Sequence, residues 1–191
     1  APDGGWLDQW RVEGLVRVAH IGVAPDGTVW LRTNDPWGCQ VQGYSPSGEL
    51  VSELRNALTD GTWYTFEQGS LAVGPDGSVY VGEYVGSVQH FARDARFLGT
   101  LGEPYDGPGK GDPGPALGYP RLAVGPDNSL YWTDLRDRRV ERFSSDGAFL
   151  GMWGGSEQFA DLLLWDLSVS PDGTLYVASL AGSYTRGFVH R

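Results

Sequence analysis

The chain has 191 residues with 29 Gly and 12 Pro, a turn-rich composition that argues against a helix bundle. Fourteen Lys and Arg against 24 Asp and Glu leave a formal charge of -10, which repels phosphate backbones and argues against a nucleic-acid partner. No window holds the roughly 18 apolar residues of a membrane span, and a single cysteine, Cys39, permits neither an intrachain disulfide nor a Cys-x-x-Cys site. Eight Trp, nine Tyr and seven Phe are enough to fill the core of one domain.

Taken in chain order, the elements repeat. Residues 21–30 (Ile-Gly-Val-Ala-Pro-Asp-Gly-Thr-Val-Trp) read as an apolar run, a turn and a β-branched and aromatic run, hence a hairpin. The unit recurs at 71–80 (Leu-Ala-Val-Gly-Pro-Asp-Gly-Ser-Val-Tyr), at 122–131 (Leu-Ala-Val-Gly-Pro-Asp-Asn-Ser-Leu-Tyr) and at 167–176 (Leu-Ser-Val-Ser-Pro-Asp-Gly-Thr-Leu-Tyr). Its prolines, Pro25, Pro75, Pro126 and Pro171, are 50, 51 and 45 residues apart, spacings slightly longer than those of most propeller repeats.

Each of the first three copies runs on into a second hairpin. A strand ending in Tyr44, Phe91 or Phe143 is followed by a turn at Ser47-Gly48, Asp94-Ala95 or Asp146-Gly147 and then by a last strand. Four antiparallel strands per repeat make a blade, so the sequence predicts an all-β, four-bladed β-propeller with no sustained helical period. Residues 161–165 (Asp-Leu-Leu-Leu-Trp) are the nearest to a helical segment and too short to stand alone. Blades are expected over about 18–54, 69–102, 121–154 and 166–190, the last completed by residues 1–11. In that segment Asp3-Gly4 matches Asp146-Gly147, Trp6-Leu7 matches Phe149-Leu150 and Trp10 matches Trp153. This predicts a ring stapled by its two ends, as a monomer or as a strand-exchanged dimer with a larger ring.

The motif Leu-Ala-Val-Gly-Pro-Asp-Gly-Ser-Val-Tyr with Gln-His-Phe-x-x-Asp-x-x-Phe-Leu, over 70–98 and again in related form over 121–150, resembles the NHL-repeat β-propeller family over nearly the whole chain. The resemblance implies the fold and leaves the function wide, since such propellers serve as binding modules, sensor ectodomains, lyases and, in related forms, metal-dependent lactonases. The family usually has six blades, against four repeats here. Together with the start at Ala1-Pro2, which resembles a processed terminus, the resemblance sets the expectation of a secreted or periplasmic protein.

Function in a propeller concentrates at the channel mouth. The residue before each inner strand is His20, Ser70, Arg121 or Asp166, and the residue after each second strand is Thr33, Glu83, Asp134 or Ser179. Scaffold positions agree between copies and these do not, as an asymmetric ligand site requires, although solvated loop ends would diverge too. Tyr84 and Trp165, like Trp37, are aromatics near the mouth without counterparts in the other repeats. The first functional reading is a non-enzymatic binding or assembly module for a peptide, glycan or protein partner, with no cofactor. The alternative is a cation-dependent lyase or lactonase-like hydrolase. It would use His20 as general base, Arg121 as anion clamp and Glu83, Asp134 and Asp166 as oxygen ligands for calcium or zinc.

Other residues are read as scaffold. Trp30, Tyr80, Tyr131 and Tyr176 hold one repeat position and are expected between blades, His90 and His190 are expected to face solvent, and the Arg-rich stretch 136–142 reads as a solvated strand edge.

Overall fold

The Pro-Asp-Gly turn sets each inner hairpin. Its aspartate carboxylate accepts the backbone N–H two residues on, at 2.9 Å for Asp26 and Thr28 and 3.0 Å for Asp172 and Thr174. The glycine then takes a positive φ, +86° at both Gly27 and Gly77, that a side chain would strain. In the third copy Asn128 adopts φ 61° in its place, a conformation asparagine tolerates better than most residues.

The computed structural model describes residues 9–10, 12, 17–33, 40–55, 70–82, 88–101, 120–134, 138–155, 162–181 and 187–191. The first sheet contains β1 (Val18–Val23), β2 (Val29–Thr33), β3 (Val41–Tyr44) and β4 (Leu50–Leu54), antiparallel and in that order. The second contains β5 (Leu71–Val73), β6 (Val79–Gly82), β7 (Val88–Phe91) and β8 (Phe97–Leu101). The third contains β9 (Leu122–Val124), β10 (Leu130–Asp134), β11 (Arg139–Phe143) and β12 (Phe149–Gly154). The fourth contains β13 (Leu162–Val169), β14 (Leu175–Ala181) and β15 (Gly187–His190), three strands among the described residues. The protein is a four-bladed β-propeller. Residues 162–165 extend the inner strand β13, so the short apolar run is strand rather than helix.

A register shift recurs at the same place in three blades, between Gly43 and Tyr44, His90 and Phe91, and Arg142 and Phe143. This bulge twists the outer hairpin and turns it away from the axis.

The core lies between blades. β1 packs on β5, β5 on β9 and β9 on β13. Trp30 and Val41 of blade 1 meet Leu71, Val79, Val81 and Phe91 of blade 2. Tyr80 and Val88 meet Leu122, Leu130, Trp132 and Phe143 across the next interface, and Tyr131 and Val140 meet Leu164, Leu167 and Val177 across the third.

Three expectations are corrected. His90 is buried and stacks on Tyr80 at 4.3 Å, because its strand face packs into the interface with blade 3. Tyr176 is exposed, because no blade face covers it as blade 4 covers Tyr131. The Arg-rich stretch is no solvated edge over its described part: Arg139 bridges the buried Asp134 at 3.2 Å and the buried Glu141 at 2.7 Å. Glu141 also accepts the Trp132 indole N–H at 2.7 Å.

Residues 1–8 and 11 of the expected closing strand lie outside the described residues, and Gln9 and Trp10 are not in a strand. Trp10 stacks on Tyr44 at 5.5 Å and abuts Gly48, where an added Cβ would meet its Cγ at 2.7 Å.

Candidate functional site

The mouth is built by irregularities in two inner strands. β1 shifts register between Val18 and His20, and β13 shifts between Leu164 and Asp166. These bulges leave Ala19 and Trp165 unpaired and re-aim their neighbours. His20 is left opposite Arg32 of β2, and Trp165 is exposed.

Three of the four residues expected before the inner strands come together, although β1 and β13 start earlier than expected, so that His20 and Asp166 lie within them. Arg121, just before β9, donates from its Nη1 to the His20 Nε2 at 3.4 Å and from its Nε to the Trp165 carbonyl at 3.2 Å. One guanidinium therefore ties blades 1, 3 and 4 at the axis. Asp166 lies close enough to His20 to favour its protonation, and accepts the Leu167 N–H at 2.9 Å. The fourth residue, Ser70, is buried and donates to the Pro120 carbonyl at 2.5 Å, so it is a link between blades.

Electrostatics fixes the state of the imidazole. Burial, then Arg121, then Arg32 push the His20 pKa down to about 4, with Asp166 opposing. His20 is therefore neutral at pH 7 and accepts from Arg121. With Arg32 beside it, the mouth presents cations within a chain of net charge -10.

The residues expected after the second strands behave differently, and the strands run on to include them: Thr33 and Asp134 end β2 and β10, and Ser179 lies inside β14. Thr33 is buried and its Oγ1 accepts the Gln40 N–H at 3.1 Å. Asp134 is held by Arg139, and the Ser179 Oγ sits 2.8 Å from the His190 Nε2. All three are engaged within their blades. Glu83 and Tyr84, with Trp37, lie outside the described residues.

Sequence reasoning missed Arg32. It is almost fully buried and donates to the Gly82 carbonyl at 2.7 Å and the Ser70 carbonyl at 3.3 Å, across the first blade interface. Its signal is a cation where the other repeats carry Gly82, Thr133 and Ala178. Among the described residues no three His, Cys, Asp or Glu side chains are grouped to hold a metal ion. The proposed oxygen ligands fit one poorly, since Asp134 is already paired with an arginine and Asp166 faces a site with two more.

No family model matches the sequence, and no curated protein does. Solved structures match the fold. A catalytically inactive virginiamycin B lyase from Staphylococcus aureus with quinupristin is 16% identical with a TM-score of 0.61, covering 98% of this chain and 60% of that one. The RRP9 WD40 repeats are 18% identical with a TM-score of 0.59, covering 94% and 52%. A streptogramin B lyase is 15% identical with a TM-score of 0.59, covering 91% and 54%. All are propellers, and the chain spans about half to three-fifths of their length.

Proposed function

We propose that the protein is a binding propeller that holds a carboxylate-bearing peptide or protein segment at its channel mouth, with acidic glycans as the other ligands of that chemistry. The observation that carries this reading is Arg121. Its guanidinium is oriented by the Trp165 carbonyl and the neutral His20, and among the described residues no carboxylate lies within hydrogen-bonding reach of it, so its charge is available to an anion. Trp165, whose carbonyl Arg121 binds, is itself exposed and offers a flat apolar contact. The repeated Pro-Asp-Gly and Phe-x-x-Asp-x-x-Phe-Leu hairpins support placing the chain among NHL-repeat propellers, and the scaffold itself serves WD40 repeats and lyases alike.

The test is selection from a phage-displayed peptide library. Wild-type protein should enrich acidic peptides, and Arg121→Ala should lose that enrichment with an unchanged circular dichroism spectrum. Enrichment that is indifferent to Arg121, or none at all, contradicts the reading. The second reading, a cation-dependent lyase or lactonase-like hydrolase, draws on His20 beside an anion clamp. It requires activity on a lactone or cyclic depsipeptide that a chelator abolishes and His20→Gln removes.

A further inference from the structure

Within the blades, arginines and carboxylates neutralise one another. Arg93 pairs with Asp26, Arg142 with Asp127, and Arg139 with both Asp134 and Glu141. The channel mouth is different. Arg121 and Asp166 share it, since His20 feels the charge of both, yet neither of them enters an ion pair among the described residues.

Local geometry keeps the two charges apart. The Arg121 Nε donates to the Trp165 carbonyl at 3.2 Å and its Nη1 to the His20 Nε2 at 3.4 Å, which fixes the guanidinium and leaves Nη2 without a partner among the described residues. Asp166 commits Oδ1 to the Leu167 N–H at 2.9 Å and leaves Oδ2 open. Trp165 lies between them: its carbonyl holds Arg121, and Asp166 follows it in the chain. The bulge that leaves Trp165 out of the ladder also leaves its side chain exposed. Arg32 adds no reachable charge, because it is buried and donates to the Gly82 and Ser70 carbonyls. With His20 neutral, the reachable part of this mouth carries one charge of each sign and an exposed indole.

We infer that the mouth selects a mixed-charge peptide segment, one in which an acidic side chain lies next to a lysine or arginine. The inference rests on carboxylate binding at Arg121, as proposed above, and adds a second half to that site. The ligand's carboxylate pairs with the Arg121 Nη2, and its cation pairs with the Asp166 Oδ2. The same cation lies against the Trp165 indole, whose face attracts positive charge and whose apolar surface receives the aliphatic stem. A segment bearing carboxylates alone would set its charge against Asp166, which makes Asp166 the residue that discriminates. On a chain of net charge -10 a mixed-charge segment also meets less general repulsion than a polyanion does.

Two capped peptides test this, acetyl-Gly-Glu-Lys-Gly-amide and acetyl-Gly-Glu-Gln-Gly-amide, each titrated by NMR into the 191-residue protein at neutral pH. Wild-type protein should bind the Glu-Lys peptide about fivefold more tightly, the effect of a partly exposed ion pair backed by an aromatic face. Asp166→Asn, at an exposed position, should erase the difference by weakening the Glu-Lys peptide. Arg121→Ala should weaken both peptides. Equal wild-type affinities, or a preference that survives Asp166→Asn, would overturn the inference and leave carboxylate binding at Arg121 standing. Binding of both peptides that Arg121→Ala does not change, or no binding of either up to about 10 mM, would overturn the inference together with the reading it rests on.

Discussion

The interfaces between blades and the uncovered faces of blades 1 and 4 use the same residue types at the same repeat positions, with opposite results. Tyr131 is buried against blade 4, while Tyr176, its counterpart, stands in solvent. The difference teaches that burial in this fold belongs to the pair of faces, since a repeat carries only half of each interface.

The largest test of that contrast is Trp30→Ala against Tyr176→Ala. Removing Trp30 from a closed interface should cost about 3–5 kcal/mol, and removing Tyr176 less than about 1 kcal/mol. Urea midpoints report both, and equal costs would break the comparison.

Polar groups sharpen it next. Arg139→Ala leaves Asp134 and Glu141 as buried carboxylates without their shared cation and should cost about 3 kcal/mol. Asp166→Asn at the open mouth should stay within about 0.5 kcal/mol in the same urea experiment.

The pH dependence follows from two histidines. His20, with its pKa lowered to about 4, and His90, also lowered by burial, are held neutral by the fold. The unfolded chain takes up those protons first. Stability is therefore full above pH 6.5 and falls as pH drops from 6.5 towards 4, by about 2 kcal/mol for His20 after allowance for screening. His20→Gln should flatten that part of the urea-midpoint profile and leave the His90 part. The lowered aspartates Asp26, Asp127, Asp146 and Asp172 titrate below this window.

The smallest effect is a gain. The Tyr80 hydroxyl is buried without a hydrogen-bond partner among the described residues, so Tyr80→Phe should raise stability by about 1 kcal/mol by thermal or urea unfolding.

The hairpins were legible because Pro-Asp-Gly and period-2 patterning are local. Which polar residues face the axis was only half legible. His20, Arg121 and Asp166 converge there, but Thr33, Asp134 and Ser179 turn into their own blades, since their direction depends on strand register and not on distance from a turn. Arg32 was illegible because its partners are carbonyls 38 and 50 residues away. His90 and Tyr176 were misread for one reason: alignment equates positions whose neighbouring blades differ.

The most direct measurement is amide hydrogen exchange in β1 and β15 compared with β5 and β11. The exposed faces of blades 1 and 4 predict weaker protection of Val18–Val23 and Gly187–His190 than of the internal strands. Uniform protection of all four blades would contradict it.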